Sequence, residues 1–326
     1  MTTQTPNRAY RSSSFIPQRP PEQNQGWQSL MTKLGTAKQL TFSLANDHRP
    51  ISLLGRVKPS LLAQEDLDIE NDVISHKHMA IKGGGIKRRL IIVFASLCKV
   101  GTLYAAPLAI VLGFSICFFA DVPLEKFYPS LTVVITLAVI ASLFWLPLEL
   151  MVKYGQSAWV DRLLSVQKEF ELSRETGMVT VFDNKNRVAY AHPFIEFDCV
   201  LSSSPTPQGF LRYQLQLIHR YNKYSRTAVI GNFIGDNEPV DEYGRLWNYI
   251  QAFMDNDKPL PDLPVFELYR HLDTTSVAYD EKVGRKPDYW RSMSDEAFET
   301  TVDDIQKKQN NKAYTGMKLN IFAPNK

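Results

Sequence analysis

Hydrophobic and polar residues follow a different period in each part of this chain, and the longest apolar runs lie between residues 90 and 152. Residues 101–120 contain no Asp, Glu, Lys, Arg or His, and residues 131–152 contain only Glu149 from this group. At a rise of about 1.5 Å per residue, each run is long enough to cross a hydrocarbon core of about 30 Å as a helix. A buried helical pair in a soluble domain would be shorter and would carry a polar stripe. The pattern therefore predicts a two-helix transmembrane hairpin.

After the spans the period of the pattern changes twice. Residues 157–173 place apolar side chains at helical spacing, which predicts a connecting helix. From residue 178 apolar and polar positions alternate as in half-buried strands, and residues 239–254 return to helical spacing with Trp247 on the apolar face. This succession predicts a small antiparallel β domain, similar to a pleckstrin-homology domain, closed by a C-terminal helix. The predicted strands are 178–183, 187–190, 194–201, 210–221 and 227–233.

These elements together predict an α+β membrane protein. Residues 1–60 are basic and rich in Pro, Ser and Gln, and they bury too little apolar surface to offset the entropy of ordering, so we expect a disordered tail. The other regions are expected to be a cytoplasmic linker (61–89), two transmembrane helices (90–152), a connecting helix (153–175), a cytoplasmic β domain with its closing helix (176–256) and an extended, loop-rich C-terminal tail (257–326).

Basic residues flank the pair of spans, whereas the link between the spans, residues 121–130, holds one lysine and two acidic residues. Cations near span ends collect on the cytoplasmic side, so we expect a multi-pass protein with both termini in the cytoplasm. Residues 1–89 hold 13 Lys and Arg against 7 Asp and Glu, and residues 153–326 hold 22 against 24. A basic half that leads into the membrane favours the lipid bilayer as a partner over nucleic acid. The flanking basic residues are Lys87, Arg88, Arg89 and Lys153.

Motifs for catalysis, metal binding or cofactor binding are scarce. The sequence has no GxSxG, HExxH, Walker or GxGxxG pattern. Its three cysteines form no CxxC pair and its six histidines are scattered, so no metal and no cofactor is predicted. Clustered charges in a loop-rich tail usually pair with each other or with solvent. One such polar cluster remains as a candidate site, formed by Asp273, Asp280, Arg285 and Arg291.

The order of these elements resembles a known family. Two apolar helices are followed by VTVFDNKNRVAYAH, then by LWNYIQAFMD, and then by LPDLPVFELYRHLDTTSVAYDEKVGRKPDYWRSM. This arrangement is similar to a family of two-pass bacterial inner-membrane proteins, without an assigned activity, that is often encoded beside type VI secretion genes. The resemblance covers residues 87–293 and implies a setting at the inner membrane of a Gram-negative bacterium.

Two classes of function remain open. The favoured hypothesis is a non-catalytic module, anchored in the membrane, that binds a protein partner such as a toxin or a secretion component. The resemblance would make it a type VI secretion accessory or a toxin-immunity protein. The alternative is a membrane-bound enzyme that acts on lipid or nucleotide through Asp273, Asp280, Arg285 and Arg291. A homo-oligomer is left open, because small residues that pack helices are common in spans.

Overall fold

The computed structural model describes residues 9–20, 37–62, 74–84, 86–154, 166–206, 208–235 and 237–323. The chain divides into two compact units. We call Gly83–Gln167 the apolar unit, and Met1–Lys82 together with Lys168–Lys326 the mixed unit. The apolar unit is therefore an insertion in the sequence of the mixed unit.

The two units contain nine helices and seven strands among the described residues. The helices are α1 (Ile51–Leu54), α2 (Pro59–Leu62), α3 (Ile86–Val100), α4 (Ala106–Phe119), α5 (Tyr128–Tyr154), α6 (Val240–Met254), α7 (Pro264–Arg270), α8 (Thr274–Val283) and α9 (Asp295–Asn310). The strands are β1 (Ala37–Leu40), β2 (His78–Gly84), β3 (Val166–Ser173), β4 (Met178–Phe182), β5 (Val188–Pro193), β6 (Phe197–Pro205) and β7 (Leu211–His219).

The apolar unit contains two helices that are long and apolar enough to cross a membrane, Leu90–Phe119 and Tyr128–Pro147. The predicted length and composition are thus confirmed. A π-helical turn, Gly101–Ala105, joins α3 to α4 directly before Pro107. Proline lacks an N–H group and its ring collides with the carbonyl four residues earlier, and a widened turn accommodates both effects. The helices contact each other at an ion pair, since Lys99 Nζ lies 2.8 Å from Glu149 Oε1.

The mixed unit contains a four-stranded sheet, in the order β2-β3-β4-β5, and a three-stranded sheet, in the order β1-β6-β7. The β4–β5 hairpin is confirmed, with Val181 opposite Tyr190. Alternation is also confirmed in β7, where Leu215 and Leu217 are buried. Trp247 of α6 is fully buried, as its place on the apolar face predicts, whereas Val240 at the start of that helix is 38% exposed.

Two local predictions differ from the structure. Residues 166–173 form strand β3 and not a helix, because Phe170 and Leu172 alternate with polar neighbours and pair with β4. The predicted strand at 227–233 is an isolated bridge at Ala228 followed by a 3₁₀ turn, Ile230–Phe233. The predicted helix before residue 166 falls on residues 157–165, which lie outside the described residues.

The expected disorder of residues 1–60 does not hold for the part of that segment that the structure describes. Strand β1 pairs with β6, and Leu54 is fully buried. Residues before α1 also bond to α6, since Asn248 Nδ2 donates to the His48 carbonyl at 2.7 Å and Ser43 N donates to Gln251 Oε1 at 2.7 Å. Apolar residues of this segment, such as Phe42 and Leu54, are therefore part of the core of the mixed unit.

The expected loop-rich tail is replaced by helices α7, α8 and α9. Local signals for these helices are present in the sequence. Asp273 caps α8 by accepting from Ser276 N at 2.9 Å, and Ser294 caps α9 in the same way. Gly284 ends α8 in the left-handed conformation with φ 68°. The high proportion of charged residues concealed these signals because most side chains of α8 and α9 face solvent.

Candidate functional site

The four residues of the candidate polar cluster each bind within the mixed unit. Asp273 accepts from the backbone and hydroxyl of Ser276, and its other carboxylate oxygen lies 3.6 Å from Arg174 Nε. Asp280 receives two hydrogen bonds from Arg270, at 2.8 and 2.6 Å. This bidentate geometry is the strongest form of an ion pair between Arg and a carboxylate.

Arg174, which the sequence did not single out, is the buried partner of Asp273. Its guanidinium donates to the carbonyls of Asp255 at 3.0 Å and Lys258 at 2.5 Å, and also to that of Phe253. Burial lowers the pKa of Arg174 because desolvation penalises its charged form, and the carboxylate of Asp273 opposes that shift. Arg174 thus links the end of β3 to the chain that follows α6.

Arg285 and Arg291 both bind around Glu267, whose side chain is fully buried. The Glu267 carboxylate accepts from Trp290 N and Arg291 N, each at 2.8 Å, and from Arg285 Nη2 at 3.1 Å. A buried carboxylate with this many donors is satisfied as a charged group. The segment after α8 is therefore fastened to α7 by one acidic side chain.

Asp262 completes the network as a second carboxylate. It accepts from Arg285 Nη2 at 3.0 Å and from Trp290 Nε1 at 2.9 Å. Burial alone would raise the pKa of Asp262, but the guanidinium groups of Arg49 and Arg285 outweigh burial and hold that pKa below its ordinary value. The candidate residues are thus members of ion-pair networks that join α7, α8 and the segment before α9.

A second polar cluster joins β5 to the end of β7 and consists of His192, Glu196 and His219. Among the described residues, these three have ligand atoms close enough together to hold a metal ion. Glu196 Oε2 lies 3.2 Å from His219 Nε2 and 3.5 Å from His192 Nδ1. The other nitrogen of His192 lies 2.7 Å from the hydroxyl of Tyr224. The sequence predicted no metal at these scattered histidines.

The hydrogen bonds of His219 determine what this cluster can do. The backbone N–H of Asn222 donates to His219 Nδ1 at 2.9 Å, so the ring proton of the neutral imidazole lies on Nε2 and faces Glu196. A metal ion on Nε2 would move that proton to Nδ1, where the N–H of the ring would face the N–H of Asn222 and neither could accept. Metal-bound histidines normally donate from their second nitrogen to an acceptor. The residues therefore fit a metal poorly. Burial, followed by the neighbouring His219, lowers the pKa of His192.

The apolar unit contains the second set of predicted site residues. Lys87, Arg88 and Arg89 lie in the first turn of α3, and their side chains fall outside the described part of the structure. Lys153 lies exposed in the last turn of α5. Between the helices runs an apolar groove of about 930 Å³, lined in part by Gly101, Ala105, Ala109 and Ala141.

Comparisons with family models, with curated proteins and with solved structures give no match for this chain.

Proposed function

We propose that this chain is a non-catalytic protein-binding module anchored in a membrane by its apolar unit. The observation that carries the proposal is the exposure of the apolar side chains on the two long helices. Leu97, Phe118 and Leu143 are 65%, 79% and 71% exposed. An exposed apolar surface of this extent is unfavourable in water, whereas in a bilayer it faces hydrocarbon.

Sheet topology supports a two-pass arrangement. Strands β2 and β3 are neighbours in one sheet, although the whole apolar unit lies between them in the sequence. Arg174 N, just after β3, bonds to the carbonyl of Lys77, just before β2, so the two strands run antiparallel. A folded sheet lies on one side of a membrane, so a chain that leaves from β2 and returns to β3 crosses an even number of times.

The side is proposed from charge. The flanking cations Lys87, Arg88, Arg89 and Lys153 favour a cytoplasmic mixed unit, and the resemblance of the sequence favours the bacterial inner membrane. An alkaline phosphatase fusion near Lys126 is expected to be active, and a fusion after Met293 inactive. The reverse pattern would refute the orientation.

Binding is favoured over catalysis because the candidate ionisable groups are engaged by internal partners. Recognition would then use the surface of the mixed unit, where apolar side chains such as Phe210 and Leu211, at the β6–β7 turn, are 73% and 58% exposed. The resemblance to proteins encoded beside type VI secretion genes favours a toxin or a secretion component as the partner we propose. The four-stranded and three-stranded sheets closed by α6 support a pleckstrin-homology-like architecture, which is the form we propose for this module.

The test separates anchoring from binding. Because β2 and β3 are antiparallel neighbours, residues 85–165 can be replaced by a short turn, which leaves the strands of the mixed unit intact. This variant is expected to be soluble and to lose function in an interbacterial survival assay, while a heterologous two-span anchor in the same position restores that function.

A substitution at the candidate cluster separates binding from catalysis. Arg291 is the member whose side chain is most accessible, at 40% exposure. Arg291→Gln keeps the backbone bond to Glu267 and is expected to reduce survival only partly at matched protein levels. Complete loss of survival in a folded, membrane-inserted Arg291→Gln variant would favour the enzyme over the binding module.

A further inference from the structure

Residues 9–20, which we call the N-terminal strap, lie along the surface of the mixed unit without joining either sheet. Sixteen residues separate the strap from β1 in the sequence. The bonds of the strap reach residues more than 200 positions away, so it meets the rest of the unit much as a separate peptide would.

Tyr10 is the most deeply buried side chain of the strap, and Phe15 is partly buried against the same core. Tyr10 is 6% exposed, and its ring meets Phe194 edge-on with centroids 5.4 Å apart and Phe42 at 6.2 Å. The carbonyl of Tyr10 accepts from Asn256 N at 3.0 Å. An aromatic ring in a socket with one main-chain bond beside it is the usual anchor of a peptide–protein interface.

Two carboxylates beside the socket bind the residues that come after Tyr10. Asp255, which is buried, accepts from Ser12 N at 3.0 Å. Asp257 accepts from Ser13 N at 3.3 Å and from the Ser13 hydroxyl, and it lies 3.8 Å from Arg11 Nε. The acidic pair therefore recognises backbone N–H groups, a hydroxyl and a cation in a fixed order after the aromatic residue.

The far end of the strap is held by main-chain bonds. Gln18 N donates to the carbonyl of Ile321 at 2.7 Å, and the hydroxyl of Tyr221 donates to the carbonyl of Arg19 at 3.0 Å. Between the two ends Ile16 is 56% exposed. Main-chain bonds together with a few buried side chains are typical of peptides bound on a domain.

We infer that this surface is a peptide-binding site, in which the N-terminal strap is the resident ligand. The site takes a peptide with an aromatic residue, followed by a cationic residue and then by hydroxyl residues in a turn, as in Arg11–Ser14, where Ser14 N donates to the Arg11 carbonyl at 3.3 Å. This inference deepens the proposed function and rests on it for the identity of the partner as a protein. The socket of Phe42 and Phe194 selects the aromatic residue, and Asp255 with Asp257 selects the cationic and hydroxyl residues.

The strap competes with any partner because it is tied to the site. A short tether gives an effective concentration of about 1 mM, so a free peptide of micromolar affinity is largely excluded while the strap is attached. Cutting the tether turns the strap into an ordinary ligand that a second peptide can replace. That difference makes the site measurable without knowledge of the partner.

The experiment uses the full chain in nanodiscs, with a site for a specific protease placed between residues 21 and 36. A fluorescent peptide of residues 1–20 is titrated before and after cleavage, and anisotropy reports binding. We expect binding after cleavage and at least about 100-fold weaker binding before it. The Tyr10→Ala peptide is expected to bind at least about 30-fold more weakly, and the Ile16→Ala peptide is expected to match the parent peptide.

The inference is overturned if the cleaved, folded protein does not exchange its strap over days, or if the Tyr10→Ala peptide binds as well as the parent peptide. Loss of the folded circular dichroism signal on removal of the strap would also overturn it, because the strap would then be a core segment. This assay contains no survival readout and does not depend on orientation in the membrane. Failure of the site is therefore distinguishable from failure of the proposed anchoring function.

Discussion

Trp247 offers the most direct test of how the mixed unit is held together. Its side chain is fully buried in α6, and its ring meets Phe42 edge-on with centroids 5.2 Å apart and Phe194 at 5.6 Å. Trp247 Nε1 donates to the carbonyl of Thr41 at 3.0 Å. One side chain thus joins α6 to the residues after β1 and to the turn before β6.

The expected cost of Trp247→Ala is set by these contacts. Truncating a buried Trp to Ala costs about 3–5 kcal/mol of unfolding free energy, and the orphaned carbonyl of Thr41 adds about 1 kcal/mol or more. In a unit of this size 1 kcal/mol shifts the melting temperature by about 2–4 °C. We therefore expect the melting temperature of the mixed unit to fall by about 10–20 °C.

Thermal melts by circular dichroism on the full chain in nanodiscs check this value. Trp247→Phe retains most of the aromatic contacts and loses the donor to Thr41, so an intermediate loss of about 1–3 kcal/mol is expected. Val240→Ala, at the exposed start of the same helix, is the matched control and should stay within about 0.5 kcal/mol of the parent protein. The packing argument is refuted if Trp247→Ala melts within about 3 °C of the parent protein.

Three further predictions concern the contacts of the mixed unit. A fragment of residues 175–326 should not fold in a cooperative transition, because it lacks β1, β2, β3 and the core residues Phe42 and Leu54; a sharp melt would contradict the fold. Glu267→Gln should cost about 2–3 kcal/mol in thermal melts because it removes the buried carboxylate that faces Arg285. The exposed Glu299→Gln, which faces Lys58, is the control and should melt close to the parent protein. Hydrogen bonds from Arg187 and Lys185 lower the pKa of Asp183 from 3.8 to about 2. The contribution of Asp183 to stability is therefore complete above its unfolded pKa and is lost as the pH falls through about 2. An NMR titration of Asp183 with a midpoint near 3.8 would contradict these hydrogen bonds.

Several elements could be predicted because their signal lies in consecutive residues. An apolar run without charge specifies a membrane-length helix, because no polar face is left to meet water. The β4–β5 hairpin and helix α6 were predictable for a similar reason, since their periods of two and 3.6 residues place the buried side chains on one face. The caps of α8 and α9 were also readable, at Asp273, Gly284 and Ser294, although the charged character of the tail obscured them.

Pairings between distant residues emerged only in the folded chain. Strand β1 pairs with β6, which follows it by more than 150 residues, and β2 lies beside β3 although the apolar unit separates them in the sequence. Asp273 likewise pairs with the distant Arg174, whereas Asp280 and Arg285 pair with residues of the same tail. Local pattern reports which face of an element is apolar, whereas the choice of partner depends on the free energy of the complete core and of its buried ion pairs. That free energy depends on residues from several segments, so a contiguous stretch of sequence does not report it.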